Sequence, residues 1–199
     1  MSELKQFDNG QKLLNYFNEI RQLSSEEING IAETNSIHKF KKGTLLLKKG
    51  QISTDTYFVL EGCVRQYFMV AGEEKTNNFF TESQWVVSLN SFNPDLVSKF
   101  YLECCEDCLL VVGNSSKADE LFKKFPKLET VSRKVMEKVF AEQQEIMGSY
   151  FTDTPEQRYL KLLETRPYLF QRIPQYHIAS YIGVKPESLS RIRKRIGNK

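Results

Sequence analysis

The side chains best equipped for chemistry crowd the C-terminal end of the chain. Lys185, Glu187, Ser188, Arg191, Lys194 and Arg195 interleave there with apolar Leu189, Ile192 and Ile196. At helical spacing the apolar set forms one stripe, and Glu187, Ser188 and Arg191 face away from it near the N-terminal half. A planar guanidinium such as that of Arg191 can make two parallel bonds to guanine, and a carboxylate such as that of Glu187 can accept from cytosine N4. Lys185, Lys194 and Arg195 suit phosphate contacts, which add affinity without reading sequence. Gln175 and Tyr176, slightly upstream, complete the candidate nucleic-acid-binding set. From Lys185 to Lys199 six basic residues stand against one acidic, a local +5, while the other residues sum to −2 within a total of +3. A concentrated patch of this kind suits a polyanion; a solvated, frayed tail is the alternative that charge alone leaves open.

The second chemical candidate is the run Cys104, Cys105 and Cys108, with Cys63 apart from it. The spacing invites a metal or redox site. However, Lys99–Val112 (KFYLECCEDCLLVV) reads as one strand. Alternation would then place Cys104 and Cys108 on one face, about 13 Å apart, and Cys105 on the other. That separation is too long for a disulfide or a shared metal. Only His38 and His177 exist to complete a site, far apart in sequence. Buried, reduced structural cysteines are therefore expected, with no metal site and no catalytic residues.

The basic helix needs a scaffold, and Ile173–Ile196 (IPQYHIASYIGVKPESLSRIRKRI) supplies one. Ala179 is small where two helices must approach closely. Gly183, four residues on, adopts positive φ without steric cost and lets the chain reverse. Ile178, Ile182, Val184, Leu189, Ile192 and Ile196 close the unit. Pro186 fits the first position of the second helix, where its missing N–H does no harm. The pattern predicts a helix-turn-helix whose second helix presents the basic face.

Upstream, Leu13, Leu14, Phe17 and Ile20 recur at helical spacing, and Ser24-Ser25-Glu26-Glu27 resembles the cap of a second short helix through Ile31. From residue 36 the period changes. Segments 36–40, 44–48, 56–60, 64–70 and 76–80 are punctuated by Gly43, Gly50, Gly62 and Gly72, the pattern of an all-β sandwich or barrel continuing to about Val112. Tyr57, Arg65, Tyr67 and Trp85 are candidates to line a pocket within it, although aromatics at alternate strand positions are more often core.

After Gly113 the pattern is helical: 117–125, then a stretch of about 24 residues over 127–150, roughly 36 Å long. Leu128, Val131, Val135 and Val139 form one apolar stripe. Met136, Phe140, Gln143, Met147 and Tyr150 form a second with coiled-coil spacing. One stripe can rest on the β domain and the other on the same helix of a second subunit; burial of both within one chain is the alternative. Thr152-Asp153-Thr154-Pro155 is a start signal for a helix through about Thr165. The expected organisation is an effector-binding-like β-roll over 1–126, a dimerisation helix over 127–150 and a DNA-binding domain over 151–199.

Composition is that of a globular protein, at 40% hydrophobic and 27% charged residues. No apolar run approaches the length of a membrane span, and the polar N-terminus lacks a signal peptide, so a cytoplasmic protein is expected. No P-loop, nucleophile elbow or His-rich metal motif is present, which speaks against an enzyme.

On the stretches KKGTLLLKKGQ, DTYFVLEGCVRQYF and IPQYHIASYIGVKPESLSRIRKRI, nearly the whole chain resembles the bacterial regulators of the cyclic-AMP receptor protein and fumarate–nitrate regulator (Crp/Fnr) family. The resemblance implies an α+β fold: an N-terminal cyclic-nucleotide-binding-like jelly roll (the β-roll), a long dimerisation helix and a C-terminal helix-turn-helix. It also implies a homodimer on a palindromic operator in double-stranded DNA, signal input at the β-roll, and RNA polymerase as a further partner. Departures from the family qualify this. The family's Gly-Glu-Leu nucleotide-binding segment aligns with Val87-Ser88-Leu89, and its phosphate-binding Arg with Ser98, so cyclic AMP is not the expected effector. The oxygen sensors' N-terminal cysteine cluster is missing, since no cysteine precedes Cys63. The family's base-reading Arg before the Glu is Pro186 here, while Glu187 and Arg191 are retained. Only Gly197-Asn198-Lys199 follows the last helix, so no C-terminal wing is expected. The cofactor, if any, stays unknown, and the competing reading is a ligand-binding module whose helical tail docks on a protein.

Overall fold

A computed structural model describes residues 10–88 and 96–197. Leu89, in the aligned nucleotide-binding segment, and Asn198 and Lys199 lie outside the described residues. The chain divides into two compact units. One comprises residues 1–65 and 79–140; the other comprises 66–78 and 141–199.

The first unit opens with α1 (Gln11–Ile20) and α2 (Ser25–Thr34). Ser24 starts α2 through a capping box: its side chain accepts from the Glu27 N–H at 3.2 Å, and Glu27 returns a bond to the Ser24 N–H at 2.8 Å. Eight short strands follow: β1 (Ser36–Phe40), β2 (Leu45–Leu47), β3 (Asp55–Glu61), β4 (Val64–Val70), β5 (Glu73–Phe80), β6 (Trp85–Val86), β7 (Tyr101–Cys104) and β8 (Cys108–Asn114). They form two four-stranded sheets, ordered β1-β8-β3-β6 and β2-β7-β4-β5. This is the all-β sandwich expected from the glycine punctuation, and the jelly roll that the family resemblance implies. Register is set by antiparallel pairing of β8 with both β1 and β3, such as His38 opposite Leu110 and Phe58 opposite Val111.

Strand β3 is buried on both faces, which is why YFVL reads as a continuous apolar run rather than an alternation. Tyr57 and Val59 point into a core between the sheets with Leu47, Val86, Leu102 and Leu110. Phe58 and Leu60 point the other way, into a second core with Leu13, Ile31, Leu121 and Leu128. Helix α3 (Ser115–Lys124) and the start of α4 (Pro126–Thr152) contribute these last two residues. Leu128, Val131 and Val135 on α4 are buried, as the first apolar stripe requires.

The segment 99–112 is not one strand. Residues 105–107 make a turn, and β7 and β8 belong to different sheets. Asp107 fixes this turn from a distance, accepting from the Lys42 N–H at 3.0 Å and pairing with Lys41 Nζ at 2.7 Å. Cys104 and Cys108 consequently come together in the core between the sheets, close enough for their thiols to interact, instead of lying about 13 Å apart along a strand. The neighbouring Cys108 thiol, and then burial, push the Cys104 thiol up and hold it neutral. All four cysteines are buried, as expected. Gly62 belongs to the same construction: its φ is +100°, and a Cβ there would lie 2.7 Å from Cys108 Sγ.

The second unit contains the tip of the β4–β5 hairpin, the C-terminal part of α4, and four further helices: α5 (Pro155–Thr165), α6 (Leu169–Arg172), α7 (Gln175–Tyr181) and α8 (Pro186–Gly197). Thr154 caps α5 through a second capping box with Gln157, and Pro155 takes the first position. Among the described residues no helix is long and apolar enough to cross a membrane.

Candidate nucleic-acid interface

Helices α7 and α8 are joined by a turn that the sequence dictates. The Val184 N–H returns to the Ala179 carbonyl at 2.9 Å and the Gly183 N–H to that of Ser180 at 3.1 Å, the pair of bonds that ends a helix on a left-handed residue. Gly183 has φ +79°, as its identity predicted. Ile178, Ala179 and Ile182 are wholly buried, and Leu189 and Ile192 on α8 nearly so. Val184 and Ile196 are half-buried at the margin.

With that stripe inside, Lys185, Glu187, Arg191, Lys194 and Arg195 are exposed. Gln175 and Tyr176 are exposed at the start of α7, and the Tyr176 ring leans on His177 with centroids 4.1 Å apart. Ser188 is half-buried; its hydroxyl accepts from Arg191 Nη2 at 3.2 Å, which steadies the guanidinium along α8. Arg195 is paired with Glu156 of α5, so it is less free for a phosphate than Lys194.

Three residues that support this surface carry no local signal in the sequence. Arg158 on α5 donates through Nε to the Ile182 carbonyl at 3.0 Å and stacks over the Tyr150 ring at 5.0 Å. Tyr150 donates to the Tyr181 carbonyl and lies 3.4 Å from that of Thr76. Although its spacing put it in the second stripe of α4, it is therefore engaged by the helix-turn-helix. Ser180 donates to the Glu74 carbonyl at 2.8 Å and accepts from the Thr76 N–H at 2.9 Å. Since β5 is the outer strand of its sheet, Ser180 occupies backbone groups that an edge leaves unpaired. On the same hairpin tip, the Glu73 carboxyl is held below its ordinary range by a hydrogen bond from Lys75, with a further pull from Lys185.

In the first unit, the described positions aligned with the family's nucleotide-binding carboxylate and guanidinium are the uncharged Ser88 and Ser98. Ser88 and Ser98 are buried at 2% and 1% exposure, and the Ser98 hydroxyl donates to the Phe100 carbonyl at 2.8 Å. Arg65, a buried cation of β4, is engaged with Glu103 at 2.5 Å. Tyr57 and Trp85, candidates to line a pocket or to be core, lie on opposite faces of the first sheet: Tyr57 in the between-sheet core, Trp85 against Phe58 and Phe17.

A family model described as the cyclic nucleotide-binding domain matches residues 37–125. No curated protein matches the chain in sequence. Among solved structures, it is similar to the c-di-GMP responsive global regulator CLP of Xanthomonas campestris, at 16% identity and TM-score 0.69, over 88% of this chain and 92% of that one. It is similar to a protein from Eubacterium rectale assigned to the Crp/Fnr family of transcriptional regulators, at 17% identity and TM-score 0.69, over 92% and 88%. FixK2 from Bradyrhizobium japonicum matches at 16% identity and TM-score 0.67, over 82% and 85%. Residues 37–125 thus match the cyclic nucleotide-binding domain model, and the chain shares the fold of these solved regulators.

Proposed function

We propose that this chain is a non-enzymatic transcription regulator that binds a palindromic operator as a homodimer, with α8 as its recognition helix. The observation that carries the reading is the split of α8. Leu189 and Ile192 are buried while Glu187 and Arg191, two residues that suit base edges, stand exposed on its other side. Lys185 and Lys194, with Gln175 and Tyr176 at the start of α7, flank them as phosphate contacts. Dimerisation is supported by the second stripe of α4, where Phe140 and Met147 leave 55% and 53% of their surface exposed at seam spacing. On this reading residues 1–126 receive the signal, 127–150 pair the subunits and 151–199 hold the operator, in the cytoplasm and within reach of RNA polymerase.

Signal input is assigned to the β-roll and to something other than cyclic AMP. Ser88 and Ser98 offer hydroxyls where a ribose and a charged phosphate need a carboxylate and a guanidinium, and a buried phosphate without a charge partner is strongly disfavoured. The test is a gel shift with fragments of the gene's own upstream region across a salt series. Specific binding that weakens steeply as salt rises is the expected result. Binding to no fragment, or binding indifferent to salt, contradicts the reading. Micromolar cyclic-AMP affinity by calorimetry would refute the second part alone.

A further inference from the structure

The first unit carries an open cavity of about 530 Å³, of the size that takes a drug-like small molecule. It does not lie where the family alignment places an effector. Val86 belongs to the core between the sheets, while its neighbours Trp85 and Val87 line the cavity on the opposite face of the first sheet. Strand alternation puts Ser88, the position aligned with the family's carboxylate, on the Val86 side. The cavity is thus roofed by α1 to α4 and floored by the outer face of β3, β6 and β8.

Its lining is mixed. Phe17, Ile31, Leu128 and Val135 are apolar, while Ser53, Thr54, Asn114 and Ser116 bring hydroxyls and an amide to one end, where the Ser115 N–H meets the Thr54 carbonyl at 3.2 Å. Among the described lining residues there is no Lys, Arg or His, and Asp119 is the single charged group. An anion entering here would lose its hydration without gaining a cation, which excludes nucleotides, phosphates and fatty carboxylates. Trp85 adds a specific demand. Its indole Nε1 is buried and has no hydrogen-bond acceptor among the described residues.

We propose that this cavity binds an uncharged amphiphile: an apolar body held by the helices and an oxygen-bearing head at the hydroxyl end, its oxygen available to the Trp85 N–H. The inference rests on the regulator reading for its meaning as signal input, but the binding itself stands apart from DNA recognition. Helix α4, which lines the cavity through Val131, Ser132, Val135 and Met136, is itself the proposed dimer helix, so occupancy would act on it directly.

Trp85 is the only tryptophan of the chain, so its emission reports on this wall alone. The full-length protein is titrated with n-decanol and, separately, with decanoate at neutral pH. The expected result is a saturable change in emission with n-decanol and a response at least tenfold weaker with decanoate. Ala118→Leu and Ser132→Leu each place a helix-compatible side chain in the cavity and are expected to weaken the n-decanol response at least tenfold with the melting temperature retained. A change that never saturates, equal response to alcohol and carboxylate, or unaltered titration in both variants overturns the proposal. Loss of DNA binding with the emission response intact supports the cavity and counts against the regulator reading alone.

Discussion

Arg158, on the helix that precedes the helix-turn-helix, donates to the carbonyl of Ile182, the residue immediately before the turn glycine. The turn therefore rests on a side chain from outside the motif. Hydrogen bonds from a charged donor to a part-buried carbonyl contribute more than neutral ones, about 1.5–3 kcal/mol. Arg158→Ala is expected to destabilise the second unit by about that amount and to weaken operator binding without changing which sequence is preferred. Arg158→Lys, which cannot reach several carbonyls with one planar fork, recovers only part of it. Chemical denaturation and a gel shift on matched samples check both; an altered sequence preference would assign Arg158 to base reading instead.

Gly183 meets a different constraint at the same turn. At φ +79° a Cβ costs roughly 1–2 kcal/mol whatever the surrounding space. The Cβ would lie 3.2 Å from Arg158 Nη2, a contact that a shift of a few tenths of an ångström in the guanidinium relieves, so the backbone term dominates. Gly183→Ala should lower stability by about 1–2 kcal/mol, and Gly183→Asn by less, since Asn tolerates the left-handed region. Equal stability of the alanine variant and the parent in urea would show that the turn relaxes to negative φ.

Arg191 and Lys194 separate base reading from affinity. Arg191→Ala is expected to cost about 1–3 kcal/mol of operator binding and to relax preference at one base position. Lys194→Ala should weaken binding uniformly across sequences and reduce the salt slope by about one per subunit. Arg195→Ala should do less than Lys194→Ala, because Glu156 already holds Arg195. Selection of bound sequences from a randomised pool decides the first point. If Arg191→Ala left the selected sequence unchanged, its assigned role would be wrong.

Local signals account for much of the fold. Glycines placed the hairpins, and Ala179, Gly183 and Pro186 specified the helix-turn-helix because each answers a constraint within a few residues of itself. The signal failed where the constraint is distant. The turn at 105–107 contains neither glycine nor proline; Lys41 and Lys42, more than sixty positions away in sequence, hold Asp107 in place. The support of the nucleic-acid interface was hidden for the same reason. Arg158 and Ser180 look like ordinary helix-surface residues until folding brings Ile182, Glu74 and Thr76 beside them. The cavity was equally silent, since its walls come from four helices and three strands whose apolar residues read only as core.

Arg65 is the largest wholly buried side chain, at 1% exposure, and it pairs with Glu103 at 2.5 Å. Removing one member of such a pair leaves an uncompensated charge, and full burial of both partners makes that loss about 3–5 kcal/mol. Glu103 keeps a quarter of its side chain exposed, so Glu103→Gln is expected to cost less, about 2–3 kcal/mol. The double variant Arg65→Met with Glu103→Leu should recover much of that loss. Urea midpoints for the two variants and the parent provide the check, and a double variant weaker than Glu103→Gln contradicts the argument.

Alkaline stability follows from two phenols. Burial, with smaller contributions from Asp55 and Cys104, pushes Tyr57 up from 10.0 to about 12. Burial likewise pushes Tyr150 up to about 12, with Tyr181 adding to it and Arg158 opposing. In each case the folded chain keeps a proton that the unfolded chain has already released between those two values. Stability from both groups is therefore fully present below pH 10.0 and falls as pH rises toward 12. Tyr57 is nearly buried, and its hydroxyl makes only a long contact to the Leu46 carbonyl at 3.4 Å. Tyr57→Phe should thus match the parent near neutrality and lose less stability through the alkaline window. Tyr150→Phe should flatten the window less, because its ring is 37% exposed, and should weaken the helix-turn-helix at every pH through the lost bond to Tyr181. Denaturant midpoints measured across the window test this: parallel curves for Tyr57→Phe and the parent would mean that the buried phenol does not drive alkaline unfolding.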